Sequence, residues 1–146
     1  MGRFGLGVCA VVTIAAAAGE PALAQDNWLL GNWLTTQMDP RGVTNSAMSA
    51  RFEPNGRLTV QFMVSGSGGS AAGVYTLTWR MTGPQSYVAQ FVDYEPKQMC
   101  GPAGCLPMQP LVPMGTVTNC QFQVLNQVAM AVSCDGQPPV RYTRQN

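Results

Sequence analysis

The strongest constraint on this chain is an alternation of apolar and polar residues on both sides of one tight turn. Between Ser46 and Glu53, Met48, Ala50 and Phe52 alternate with Ser49 and Arg51. After Pro54-Asn55-Gly56, Leu58, Val60, Phe62 and Val64 alternate with Arg57, Thr59, Gln61 and Met63. A period of two places the apolar set on one face of a strand, which must find a core to cover it. Asn-Gly between two such runs is a hairpin signal, because both residues tolerate positive φ. No apolar run at helical spacing extends beyond about two turns, so the chain reads as β throughout.

Six further segments carry the same signature. Gly31 to Gln37 is a strand ended by Asp39-Pro40-Arg41-Gly42. Gly66-Ser67-Gly68-Gly69-Ser70 has the composition of a flexible loop. Val74 to Met81 and Tyr87 to Tyr94 form a second hairpin around Gly83-Pro84-Gln85, with Tyr75, Leu77, Trp79 and Met81 on one face. Residues 95–115 hold five prolines and three glycines and read as a long irregular loop rich in Pro, Met and Cys. Thr116 to Leu125, Val128 to Cys134 and Val140 to Arg144 complete the count. Eight short strands in sequence order, mostly joined by short turns, favour an all-β fold: a small antiparallel up-and-down barrel, whose closure removes exposed edges. A two-sheet β-sandwich is the alternative.

The first 24 residues have the layout of a cleavable export signal. Arg3 supplies the positive start, Gly5 to Ala18 an uncharged apolar run, and Ala22-Leu23-Ala24 the small-x-small cleavage pattern, leaving Gln25 first in the mature chain. The apolar run is shorter than the roughly 20 residues a spanning helix needs. Cys9 follows Val8 and precedes most of that run, which argues against a lipid-anchored reading. The expectation is a single domain, residues 25–146, in the periplasm or secreted, with no membrane span after cleavage. Losing Arg3 and Glu20 lowers the eight basic and seven acidic residues by one each, so the net charge stays at +1. That charge offers no patch for nucleic acid.

Loss of Cys9 leaves four cysteines, an even number in a compartment that permits disulfides. Zinc is disfavoured, because Cys100 and Cys105 have the wrong spacing and the chain has no histidine. Four cysteines allow three pairings, and register chooses among them. A two-residue loop at Asn126-Gln127 would set Phe122 against Ala131. A three-residue loop, Asn126 to Val128, sets Val124 against Met130, Phe122 against Val132 and Cys120 against Cys134, so apolar faces match. Opposed residues of a non-hydrogen-bonded pair lie within disulfide reach. The expected pairs are therefore Cys120 with Cys134, and Cys100 with Cys105.

Leu30-Gly31-Asn32-Trp33 resembles the Gly-x-Trp opening of lipocalin and calycin-like barrels, and the turn Phe52 to Arg57 is similar to that of short bacterial lipocalin-like domains. The resemblance implies a barrel whose Gly31 and Trp33 begin the first strand, with the Trp33 ring closing one end. It also implies an arginine from the last strand packed over that ring, a role open to Arg144 or Arg141. The chain departs from the family in being short and in lacking residues for the usual C-terminal helix.

No catalytic set is legible. Without histidine the chain lacks the commonest general base and the usual haem and zinc ligands, and it has no phosphate-binding glycine motif. Asp93 and Glu95 are the one close acidic pair, and they read as a polar strand end before Pro96 rather than as paired catalytic carboxylates. Met99, Cys100, Cys105, Met108 and Met114 would suit Cu(I) only if the thiols were free, and the disulfide reading removes them. The expectation is a non-catalytic exported binding module without metal or cofactor. It would hold an apolar or amphipathic small molecule, with Phe62, Trp79, Phe91 and Phe122 as candidate lining residues. The alternative is a small accessory subunit of a larger periplasmic assembly, docking through Met99, Leu106, Met108 and Met114.

Overall fold

The computed structural model describes residues 28–38 and 44–146. The export signal read in residues 1–24 and the turn at Asp39-Pro40-Arg41-Gly42 lie outside the described residues. Ten strands follow in order: β1 (Gly31–Met38), β2 (Thr44–Phe52), β3 (Arg57–Gly66), β4 (Gly69–Gly83), β5 (Ser86–Glu95), β6 (Gln98–Gly101), β7 (Gly104–Pro107), β8 (Val117–Asn126), β9 (Ala129–Cys134) and β10 (Val140–Gln145). Eight of them close an antiparallel barrel in the order β1-β10-β9-β8-β5-β4-β3-β2, and β6 and β7 form a separate two-stranded sheet. This is the expected up-and-down meander with one hairpin inserted between β5 and β8. The sandwich alternative is set aside.

Several local readings are corrected. The turn after β2 is not one with two positive-φ residues. Only Gly56 is left-handed (φ 81°), and Gly56 N–H donates to Glu53 O at 3.1 Å. Pro54 fixes its own φ near −65°, which suits a three-residue loop with glycine in the left-handed position instead. The Gly66–Ser70 segment is not a loop. Its strands pair through Ser65–Ser70 and Gly66–Gly69, leaving only Ser67-Gly68 to turn. Within residues 95–115, Met99 pairs with Leu106 and Cys100 with Cys105, so part of that irregular region is an ordered hairpin turning at Pro102-Ala103.

Both disulfides form as expected, Cys100–Cys105 and Cys120–Cys134. The register of β8 against β9 also matches, with Phe122 opposite Val132 and Val124 opposite Met130. The loop is shorter than expected: Asn126 pairs with Ala129, and Leu125 is the extra residue of a bulge. A second bulge leaves Val92 unpaired between Phe91–Leu77 and Asp93–Thr76.

One end of the barrel is plugged by the residues just before β1. Leu29 and Trp33 are fully buried, and Trp33 Nε1 donates to Leu29 O at 2.8 Å. Trp28 lies against Trp33 (centroids 4.9 Å apart) and stacks parallel to Phe122 of β8, so the segment crosses from one wall to another. Arg144 donates to the Leu30 and Trp28 carbonyls, with its guanidinium carbon 4.4 Å from the Trp33 ring centre. Arg144 rather than Arg141 therefore covers the ring, and Gly31 opens β1 beside it, with Arg144 Nη1 3.5 Å from where a Cβ would stand.

Gly73 in β4 shows how tightly one wall is built. A Cβ there would lie 2.7 Å from the Phe62 ring and 3.0 Å from Glu95 O. The ring covers bare backbone, as aromatic residues do over strand glycines. Gly73→Ala is expected to cost about 1–3 kcal/mol, the range for overpacking a filled site. A denaturant melt showing no loss would mean that the ring swings away freely.

Candidate functional site

Above the plug the barrel is hollow. A cavity of about 580 Å³ runs up its interior. Its apolar wall is supplied by alternate residues of successive strands: Ala50 and Phe52 of β2, Leu58, Val60 and Phe62 of β3, Tyr75 and Leu77 of β4, Tyr87, Ala89 and Phe91 of β5, and Met130 and Val132 of β9. The Cys120–Cys134 disulfide is part of the same wall. A wider groove of about 850 Å³ runs over the outer face between Ala47, Gln61, Met63 and Lys97. It faces outward, whereas the interior space is ringed by the eight strands of the closed barrel and is the less open of the two, so the interior is the candidate site for a ligand.

At the end opposite the plug, the segment after β7 folds back over the rim. The Tyr75 hydroxyl accepts from Leu111 N–H at 2.8 Å and from Val112 N–H at 3.4 Å, and both residues line the cavity. Tyr94 Oη donates to Met108 O at 2.8 Å, and Gly115 N–H donates to Phe91 O at 2.7 Å. Asp135, with φ 49°, sits at the rim. Its carboxylate accepts from Thr118 Oγ1 (2.7 Å) and Asn119 N–H (3.0 Å), which hold it below the usual carboxylate range. It is the only charged residue among the described cavity-lining residues.

Three tyrosines reach the interior, and their hydroxyls are placed differently. Tyr75 is engaged by the rim. Tyr142 donates to Met48 Sδ at 3.3 Å. Tyr87, only 6% exposed, has no hydrogen-bond partner among the described residues, and its ring meets Phe52 and Phe122 near the plugged end. Burial pushes its phenol well above the ordinary tyrosine value, and the nearby Tyr142 adds to the rise, so it stays a neutral donor.

The four aromatic residues expected to line a site divide evenly. Phe62 and Phe91 line the cavity, each packed on Tyr75 (5.6 and 5.3 Å between ring centres). Trp79 and Phe122 do not. Trp79 packs edge-on against Phe52 and donates to Glu53 O at 3.2 Å, while Phe122 is taken up by Trp28. Sequence reasoning passed over Tyr87 and Thr35, which alternation places inward but does not mark as polar handles. Of the loop residues, Met99 and Leu106 are exposed (53% and 74%), whereas Met108 is half-buried and Met114 packs on the core. The acidic pair is separated in use: Asp93 binds Lys97, and Glu95 lines the outer groove. No group of three or more His, Cys, Asp or Glu among the described residues is placed to hold a metal ion, and no described helix is long and apolar enough to cross a membrane.

The chain matches no protein-family model, and no curated protein matches it.

Proposed function

We propose that this protein is an exported, non-catalytic binding module of lipocalin-like design that carries a small apolar or amphipathic molecule inside its barrel. The observation that carries the reading is the interior cavity of about 580 Å³ with its mostly apolar wall. Its size falls in the usual range for small-molecule sites, roughly 300–1,000 Å³. An eight-stranded barrel can equally be filled by its own side chains, so an interior space of this size argues for an occupant. The Trp33–Arg144 closure supports the lipocalin likeness, and two disulfides suit the periplasm or the cell exterior.

Fluorescence titration with N-phenyl-1-naphthylamine, an uncharged apolar dye, tests the reading. The mature protein should take up about one dye per chain, as expected for one interior site. Ala89, 2% exposed, lines the cavity. Ala89→Phe should weaken uptake by at least roughly tenfold, yet cost less than the 1–3 kcal/mol usual for overpacking, because there is space to receive the ring. Equal dye binding by the two proteins would sink the proposal.

A second reading, docking onto a larger assembly, is favoured by the exposure of Met99, Leu106 and Leu111 (53, 74 and 80%) on the β6–β7 hairpin and the segment after it. Native mass spectrometry of protein taken from its own source separates the two readings: a monomer carrying a small added mass supports the carrier, and a stable hetero-complex the accessory subunit.

A further inference from the structure

The Tyr87 hydroxyl, unpaired among the described residues, narrows the class of molecule the cavity would take. Buried phenols ordinarily find a partner, because an unmade hydrogen bond in an apolar site carries a desolvation cost. Tyr75 and Tyr142 follow that rule through Leu111 N–H and Met48 Sδ. Tyr87 has no partner among the described residues, although it is 94% buried, 6% of its surface remaining exposed. No side-chain oxygen or nitrogen among the described residues is both sealed from space and unpartnered. The Tyr87 oxygen therefore touches open space, and the space this side chain lines is the cavity. Thr35 of β1 also lines the cavity, with 8% of its surface exposed and no hydrogen-bond partner among the described residues. In the barrel order β1 and β5 stand four strands apart in either direction, so these two side chains face the interior from opposite walls.

We propose that the Tyr87 hydroxyl is a ligand-binding donor, and that the cavity takes an uncharged, largely apolar molecule that enters with a hydrogen-bond-accepting oxygen, such as a ketone, leading. The inference rests on the carrier reading above. The leading oxygen is uncharged because the surroundings of Tyr87 are Phe52, Phe122, Cys120 and Tyr142, none of which offers a cation to a buried carboxylate. Thr35, able to donate or accept, is available to a second oxygen or to a bridging water.

The test is displacement of N-phenyl-1-naphthylamine by naphthalene, 2-acetylnaphthalene and 2-naphthoate, with wild-type protein and Tyr87→Phe. The variant keeps the ring and its packing on Phe52, so folding is preserved and only the donor is lost. The ratio of ketone to hydrocarbon affinity should fall roughly fivefold in Tyr87→Phe, the size of one net hydrogen bond, while naphthalene itself changes by less than about twofold. The wild type should bind 2-acetylnaphthalene more tightly than 2-naphthoate. An unchanged ketone preference with naphthalene still bound would overturn this inference and leave the carrier reading standing. Tighter binding of 2-naphthoate would overturn the uncharged class. No uptake of any of these probes by the wild type would overturn both readings together.

Discussion

Trp33→Ala should destabilise the protein by about 3–5 kcal/mol, the range for truncating a fully buried large aromatic side chain. The ring has no exposed surface and performs three tasks at once. It fills the end of the barrel under Trp28, offers its face to the Arg144 guanidinium, and donates Nε1–H to the buried Leu29 carbonyl. Alanine would leave a cavity that the neighbours close only in part, a carbonyl without its donor and a guanidinium without the nearer of its two aromatic rings. Trp33→Phe should cost less, since it keeps most of the apolar volume and loses chiefly the Leu29 hydrogen bond. Urea melts with unchanged m-values give the comparison directly. A loss of only roughly 0.5 kcal/mol for Trp33→Ala, as for a surface site, would mean that the plug does not hold the barrel closed.

The parts of the fold that were legible are those where a local signal and the ladder agree. The β2–β3 hairpin, the β4–β5 hairpin and the β8–β9 register all follow from alternation and matched apolar faces, and Phe122 opposite Val132 is that matching at work. The failures have separate physical causes. Gly66 to Ser70 has a linker's composition, but ladder pairing carries both strands through it to a two-residue turn. The β6–β7 hairpin carries no alternation because every residue in it is exposed, so no buried face imposes a period. The site was half legible for a related reason. Alternation assigns a residue to the inner or outer face but does not give its height along the barrel. Phe122 and Phe62 are equally inward-facing in sequence, yet Trp28 claims Phe122 for the plug while Phe62 is left beside the cavity. Trp28 sits before the first strand, where no pattern announces that it will cross the barrel. Tyr87 and Thr35 were equally hidden, because alternation turns a hydroxyl inward without telling whether another group of the fold will pair with it.

Removing the Cys120–Cys134 bond by replacing both residues with alanine should cost about 3 kcal/mol, and removing Cys100–Cys105 in the same way should cost far less. In the chain-entropy account, a cross-link stabilises by restricting the unfolded chain, and a separation of 14 residues falls near the loop length for which about 3 kcal/mol is expected. That gain is realised in full only if the native structure holds the two ends together without the bond. β8 and β9 meet this condition. They pair from Cys120–Cys134 to Asn126–Ala129, and the paired residues belong to the barrel wall, with Cys120 3% exposed. The hairpin around Cys100 and Cys105 does not meet it. It forms its own two-stranded sheet outside the barrel, its residues are exposed, and an isolated hairpin is marginal in water. Without its disulfide the native protein can let that hairpin open, so the entropy recovered by the unfolded chain is recovered by the folded one too, and the expected loss is below about 1 kcal/mol. Denaturant melts of the two double variants decide the order. If the Cys100–Cys105 variant proved the less stable of the two, the hairpin would have to be bound firmly to the barrel, and the rim contacts of Tyr75 and Tyr94 would be its anchors.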